Sequence, residues 1–241
     1  MITNPCNDNL VAQQVARIQK EILETCAACG RDPASVRLMA VTKTVEPERV
    51  NQAIEAGVHL LGENKAQELL AKYDAYHKDQ VEIHFIGHLQ TNKVRQIVDK
   101  VTVIQSLDSV HLASEIDKQC AKLGKVMDCL VEVNVGSELT KSGVDPENLV
   151  DFLGEVSQFH QIHVRGLMAI PPVCESEREM EAYFSDLHKL FVDIGGEKLD
   201  NINMDFLSMG MSGDYRLAIK HGSNIVRIGT AMFGHRNYAN Q

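Results

Sequence analysis

Lysine chemistry and anion binding are the two capacities that the residue types of this chain suggest first. Lys43 follows the apolar, β-branched run Val36-Arg37-Leu38-Met39-Ala40-Val41-Thr42. A run that is apolar on both faces reads as a buried parallel strand, and α/β proteins place ligands at the carboxyl ends of such strands. Burial there disfavours the ammonium form and leaves a nucleophilic amine. A lysine snorkelling out of the sheet rim would leave the same pattern. Near the other end of the chain stand Met209-Gly210-Met211-Ser212-Gly213-Asp214 and Gly229-Thr230. Ser212 is placed to cap a following helix, which turns free N–H groups and the positive end of a dipole toward an anion. Glycine at 229 lets backbone approach that anion closely. Helix capping and a tight turn account for either loop alone; the two together favour phosphate.

The remaining reactive residue types form no site of their own. Cys26 and Cys29 make a C-x-x-C pair, but it closes an N-terminal helix instead of following a strand, which argues against a redox role. Cys6, Cys120, Cys129 and Cys174 are scattered singly, as in reduced proteins. The ten histidines include no paired metal spacing; His84 and His88 fall on a strand and the loop after it, where that spacing aligns nothing.

The elements that must position Lys43 and the loops recur as strand then helix. A helical stripe, Val11, Val15, Ile18, Ile22 and Leu23, marks a leading helix over about residues 10–29. Strands are expected at 36–42, 58–61, 82–86, 103–105, 129–133, 164–169, 206–209 and 225–228. Helices are expected at 47–56, 66–76, from about 92, 109–123, 146–159, 176–194 and 212–220. Eight such units predict a single (β/α)8 TIM barrel with the leading helix packed outside, and 241 residues match the roughly 250 usual for that fold. No linker or change of composition divides residues 1–241, so one domain is expected. A doubly wound sheet would want a glycine-rich loop after the first strand, and Thr42-Lys43-Thr44-Val45 is not one.

A barrel directs attention to the residues after each strand. They are Lys43; Gly62, Glu63, Asn64; Gly87, His88, Gln90; Ser106, Asp108; Asn134; Met168; Gly210, Ser212, Gly213; and Arg227, Gly229, Thr230. Loops after strands seven and eight commonly build a barrel's phosphate cradle. A lysine facing such a cradle suggests a phosphorylated aldehyde, with pyridoxal 5′-phosphate, bound as a Schiff base on Lys43, the leading candidate. A net charge of −9 argues against nucleic acid or an anionic membrane as partner. No apolar run approaches the ~20 residues of a membrane span, and residues 1–10 lack a signal-peptide pattern, so a cytoplasmic location is expected.

Five blocks in order then make the sequence recognisable: Ala40-Val41-Thr42-Lys43-Thr44, Gly62-Glu63-Asn64-Lys65-Ala66-Gln67-Glu68, His84 through Lys93, Ser208 through Asp214, and Val226 through Gly234. From about Leu10 onward the chain resembles the YggS/PROSC family of pyridoxal-phosphate homeostasis proteins, single-domain relatives of the alanine-racemase N-terminal barrel. Thr42 stands where that family usually has serine, Ile83 where an aromatic is usual, and Asn224 where threonine is common. The resemblance implies pyridoxal-phosphate fold type III, with Lys43 carrying the cofactor. It further implies Ser212, Gly229 and Thr230 at the phosphate beside Met209 and Gly210, Asn64 lining the site, and Arg227 near the ring nitrogen.

A carboxylate partner would keep that nitrogen protonated; an arginine has no acceptor for its N–H, so the ring would stay neutral and stabilise a carbanion poorly. A salt bridge at the rim is the plainer reading of Arg227. Lys141, on another mouth loop, is either a second acceptor for the aldehyde or a solvated lysine. Two functions therefore stand: a non-catalytic binder that buffers pyridoxal phosphate or delivers it to apo-enzymes, and a racemase or decarboxylase of the same fold. Racemisation needs a second acid–base group, a tyrosine from a C-terminal domain or partner subunit. The chain ends seven residues after Gly234, and neither Tyr215 nor Tyr238 is obviously placed for that role, so the binder is favoured. A class-I aldolase-like enzyme is a third, weaker alternative. A monomer or weak homodimer is expected.

Overall fold

The computed structural model describes residues 8–136 and 142–234. Eight parallel strands close into a barrel in chain order: β1 (Arg37–Val41), β2 (Leu60–Glu63), β3 (Glu82–Phe85), β4 (Val103–Leu107), β5 (Met127–Glu132), β6 (Ile162–Met168), β7 (Ile202–Met211) and β8 (Ile225–Ile228). β8 pairs back onto β1 through Arg37↔Ile225 to Ala40↔Ile228. Between the strands run α2 (Pro47–Glu55), α3 (Ala66–Lys72), α4 (Thr91–Ile97), α5 (Val110–Leu123), α6 (Leu149–Val156), α7 (Glu177–Gly195) and α8 (Tyr215–Lys220), and α9 (Thr230–Phe233) follows β8.

Local chemistry sets the ends of these elements. Pro47 occupies the first turn of α2, where its missing N–H is no loss. Ser109 and Ser176 accept from the N–H groups of Leu112 and Glu179 and so cap α5 and α7. The leading helix α1 (Asp8–Ala28) lies outside the barrel against α2, α8 and α9, across the seam where β8 meets β1. Its stripe Val11, Val15, Ile18, Ile22 and Cys26 is buried, each aliphatic side chain contributing roughly 1.5–3 kcal/mol.

Strand alternation divides the core in two. Outer faces pack on the helices in one large cluster, whereas Met39, Leu60, Ile86 and Ile225, with Val103, Leu130 and Met168, pack separately. Those smaller groups fill the barrel interior. A Cβ on Gly62 would lie 2.6 Å from Met39 Sδ and 2.9 Å from Ile86 Cδ1, so Gly62 faces inward and Glu63, next in β2, faces the helices.

Several boundaries differ from the sequence reading, for identifiable reasons. β1 stops at Val41, because a turn begins at Thr42, so Lys43 is not a strand residue. β2 begins and ends two residues later than expected and absorbs Gly62 and Glu63. β7 is ten residues long, not four; Asn203 and Asp205 look like loop but alternate with less exposed neighbours along a strand that pairs with β6. The segment after Pro146 opens with one 3-10 turn before α6, which ends at Val156. α8 begins only at Tyr215, so Asp214 and not Ser212 stands at its cap position.

Candidate functional site

Lys43 lies in the turn that follows β1 and is half-buried, more open than a strand residue would be. The turn is closed by the Val45 N–H donating to Thr42 O at 3.0 Å. Thr44 holds φ at 60°, a left-handed conformation unfavourable for a β-branched residue. Its N–H donates to Glu68 Oε2 at 2.8 Å, and Lys72 Nζ donates to both Glu68 Oε2 and Thr42 O at 3.3 Å. Burial acts to raise the Glu68 pKa, but the Thr44 N–H and Lys72 outweigh it and hold the carboxyl below its usual range. Behind the turn, Thr42 Oγ1 donates to Glu63 Oε1 at 2.6 Å and Tyr76 donates to the same oxygen at 2.5 Å. Burial and Glu63 push the Tyr76 hydroxyl up, so it stays protonated and keeps donating. The lysine is thus aimed by a strained turn clamped from α3.

The opposite wall is built from backbone. Gly210 has φ +89°, and a Cβ there would meet Ala218 Cβ at 2.5 Å, so only glycine lets β7 pass so close to α8. Asp214 Oδ1 accepts from the Met211 N–H at 2.5 Å and ties the ends of the loop together. Ser212 does not cap α8. Its Oγ accepts instead from Gly229 N–H at 3.3 Å and Ala231 N–H at 3.2 Å, at the start of α9. Two main-chain donors thus converge on one polar spot at the mouth.

Arg227 rises from β8 only 3% exposed. It donates through NH1 to Ser208 O at 2.7 Å and Ser208 Oγ at 2.8 Å, and through NH2 to Ala169 O at 2.8 Å. Burial pushes its pKa down to about 10, with Asp214 and Glu132 pulling the other way, so it remains a cation at neutral pH. Glu132, at the end of β5, is pushed up to about 7 by burial and Asp108, against the pull of Arg227 and His88.

Lys43, Ser212, Arg227, Gly229 and Thr230 line one cavity of about 410 Å³ together with Met211, Asp214 and Arg49. That is within the range of small-molecule sites. Three residues expected beside them are elsewhere on the scaffold. Met209 is fully buried in the outer core, and Gly210 backs onto α8. Asn64 lines a neighbouring cavity of about 220 Å³ with Lys65, Phe85, His88 and Gln90. Its Oδ1 is buried and has no hydrogen-bond partner.

The clamp residues Glu68 and Lys72 were not picked out by the sequence reading. Glu68 was visible only as the last letter of the Gly62–Glu68 block, and no periodicity marks either residue as serving a turn on another element. Tyr215 donates to Glu21 of α1, on the far side of the Met211–Asp214 loop from the lysine. Lys141 and Tyr238 lie outside the described residues. Cys26 is buried and Cys29 exposed at the end of α1, and His84 is inside the barrel while His88 pairs with Asp108 at 3.3 Å. Among the described residues no cluster of three or more metal-ligating side chains occurs, and no helix is long and apolar enough to cross a membrane.

The alanine racemase N-terminal domain family matches residues 15–237. The pyridoxal phosphate homeostasis protein of Aquifex aeolicus is 42% identical over 226 residues, which is 94% of this chain and 98% of the relative. This chain belongs to the pyridoxal phosphate homeostasis protein family. The family member of Escherichia coli strain K12 is 34% identical over 96% of this chain and 99% of its own. Among solved structures, an unknown protein from Bifidobacterium adolescentis superposes with a TM-score of 0.90 at 33% identity, covering 96% of this chain and 98% of its own. PipY of Synechococcus elongatus PCC7942, solved with PLP bound, has a TM-score of 0.80 at 30% identity over 93% of this chain and all of that one (100%). Alanine racemase from Corynebacterium glutamicum shares the fold at 15% identity and a TM-score of 0.69; 97% of this chain is covered and 63% of that one.

Proposed function

We propose that this chain binds pyridoxal 5′-phosphate at the barrel mouth as a Schiff base on Lys43 and serves intracellular homeostasis of that cofactor. In this reading it buffers the cofactor and hands it to apo-enzymes in the cytoplasm. The observation that carries the reading is the shared cavity. A primary amine, the Ser212 hydroxyl with the Gly229–Thr230 turn, and a buried guanidinium line one space of about 410 Å³. The names of the relatives and the cofactor seen in PipY support it.

The donor set fits the molecule. Ser212, Gly229 and Thr230 would hold the phosphate, where charge-assisted bonds are strongest. Lys43 would hold the aldehyde and Arg227 would face the ring nitrogen. Asn64, whose buried Oδ1 lacks a partner, lines the separate cavity of about 220 Å³ and is not placed to touch the ring. When bound, pyridoxal phosphate supplies an aldehyde that condenses reversibly with amines and a ring that withdraws electrons. The protein's residues restrain the second capacity. Arg227 is already protonated and only donates, so it offers no acceptor to a pyridinium N–H, disfavours protonation of the ring nitrogen and would leave the ring neutral and a weak electron sink.

Racemase or decarboxylase activity would need an acid–base group on the face opposite Lys43. Of the described tyrosines in the last third of the chain, Tyr183 lies on α7 and Tyr215 is engaged with Glu21 on the outer side of the loop. The test is deuterium exchange at Cα of a panel of L- and D-amino acids, run beside transfer of cofactor to a suitable apo-enzyme. Transfer with no exchange is expected. Exchange that saturates and disappears in Lys43→Ala would make the protein an enzyme.

A further inference from the structure

A single hydrogen-bonded file of side chains crosses the interior of the barrel beneath Arg227. Ser208 of β7 donates through Oγ to Gln105 Oε1 at 2.7 Å, and Gln105 Nε2 lies 2.8 Å from His84 Nδ1. β4 and β7 are not neighbours in the barrel, so the Gln105–Ser208 bond can run only through the lumen. His84 Nε2 faces Glu82 Oε2 at 3.4 Å, and Glu82 pairs with Arg37 at 2.8 Å at the amino ends of β3 and β1. Ser208, Gln105 and His84 are each 0% exposed.

The direction of every bond in this file follows from its upper end. A guanidinium has donors only, so the Ser208 Oγ beneath Arg227 must accept from it and turn its single proton elsewhere. Gln105 takes that proton, which commits its amide oxygen to Ser208 and its amide nitrogen to His84. His84 Nδ1 must then present a lone pair, and its proton sits on Nε2, toward Glu82. Remove Gln105, and the serine proton has no acceptor in the file. The hydroxyl then turns toward Arg227, donor against donor, and the guanidinium loses one of its three acceptors. The surrounding lumen is apolar, with Met39, Leu60, Ile86, Ile225, Val103, Leu130 and Met168, so a buried polar file costs more here than the Leu or Met that would pack in its place.

We infer that Gln105 is a positioning residue for Arg227: through the Ser208 hydroxyl, and locked by His84, it fixes the guanidinium that faces the bound cofactor. This rests on the reading of Arg227 as the ring-nitrogen partner, and the test separates the two. In the cofactor-free protein, 15N-resolved NMR should show distinct, slowly exchanging Nη–H signals for Arg227. Gln105→Leu should merge or broaden them, while Gln105→Glu, whose carboxylate still accepts from Ser208, should leave them distinct.

In the loaded protein, Gln105→Leu should speed release of pyridoxal phosphate by about tenfold, the loss expected for one bond to a charged group. That effect should vanish in a Ser208→Ala background, where no hydroxyl is left to orient. Unchanged Arg227 signals in Gln105→Leu would overturn the inference, as would an undiminished effect in the Ser208→Ala background. A lowered Tm with neither change would mark Gln105 as mere packing and overturn it equally. If Arg227→Gln leaves release and the absorbance spectrum untouched, the cofactor reading of Arg227 fails, while the NMR comparison still judges Gln105.

Discussion

The two sides of the barrel mouth are built on different principles. On the β1–β2 side, Lys43 rides a turn with a left-handed threonine, held by side-chain bonds to Glu68 and Lys72. On the β7–β8 side, Ser212 Oγ is held by the main-chain N–H groups of Gly229 and Ala231, above an arginine that is 3% exposed. Charge at the lysine side is partly open to water, and charge at the anion side is enclosed. The difference has consequences. Solvated ion pairs respond to salt, whereas buried titratable groups respond to pH. In the proposed reading, the side that would make and break a covalent bond is carried on a turn held by side chains, and the side that would recognise the phosphate is enclosed.

The enclosed charge near Arg227, with Glu132 at the end of β5, should show itself first in a pH titration. Glu132 has a pKa raised to about 7, so between about pH 4.5 and 7 the folded protein binds a proton that the unfolded chain has released. Its contribution to stability is therefore full below the unfolded value and is lost as pH rises through 7, amounting to up to about 3 kcal/mol. Glu132→Gln should match the parent at pH 4 and exceed it at pH 8 in urea denaturation. Equal curves at both pH values would mean that Glu132 is better solvated than its position implies.

Next come the phosphate donors. Ser212→Ala and Thr230→Val should each weaken pyridoxal phosphate binding by about 1.5–3 kcal/mol, roughly tenfold or more, while barely changing the weak binding of unphosphorylated pyridoxal. Equal losses for both ligands in equilibrium titrations would erase the distinction drawn between the two sides.

On the open side, Glu68→Ala removes the acceptor of the Thr44 N–H and the partner of Lys72. A loss of about 1–2 kcal/mol in stability is expected, with faster cofactor release. In the parent protein the same clamp should weaken at high salt, so the release rate should rise with ionic strength while phosphate discrimination stays constant. The smallest effect belongs to Thr44→Gly. Relief of a left-handed threonine outweighs the added freedom of glycine in the unfolded chain by about 1 kcal/mol, so Tm should rise slightly. The slackened turn should still release cofactor faster.

The barrel was legible in the sequence because its signals are local: short apolar strands alternating with helical segments, and Pro47 at a helix start. Lys43 and the Ser212 and Gly229 loops stood out for the same reason. What escaped was set by tertiary contact. Ser212 read as the cap of the helix after it, but β7 runs on to Met211, and the hydroxyl turns instead to amides of a segment seventeen and nineteen residues away. The left-handed Thr44 carries no propensity signal, since it is imposed by Glu68 from another element. Gln105 looked like an ordinary strand residue. Only barrel closure brings it to Ser208, 103 residues further along the chain.

The central claim is that Lys43 is the covalent anchor. It is tested most directly by borohydride reduction of the protein loaded with pyridoxal phosphate, followed by peptide mass mapping. The label should fall on the peptide containing Lys43, and Lys43→Ala should abolish both the label and the yellow absorbance. A label resting mainly on Lys141, or retained undiminished in Lys43→Ala, would contradict the account.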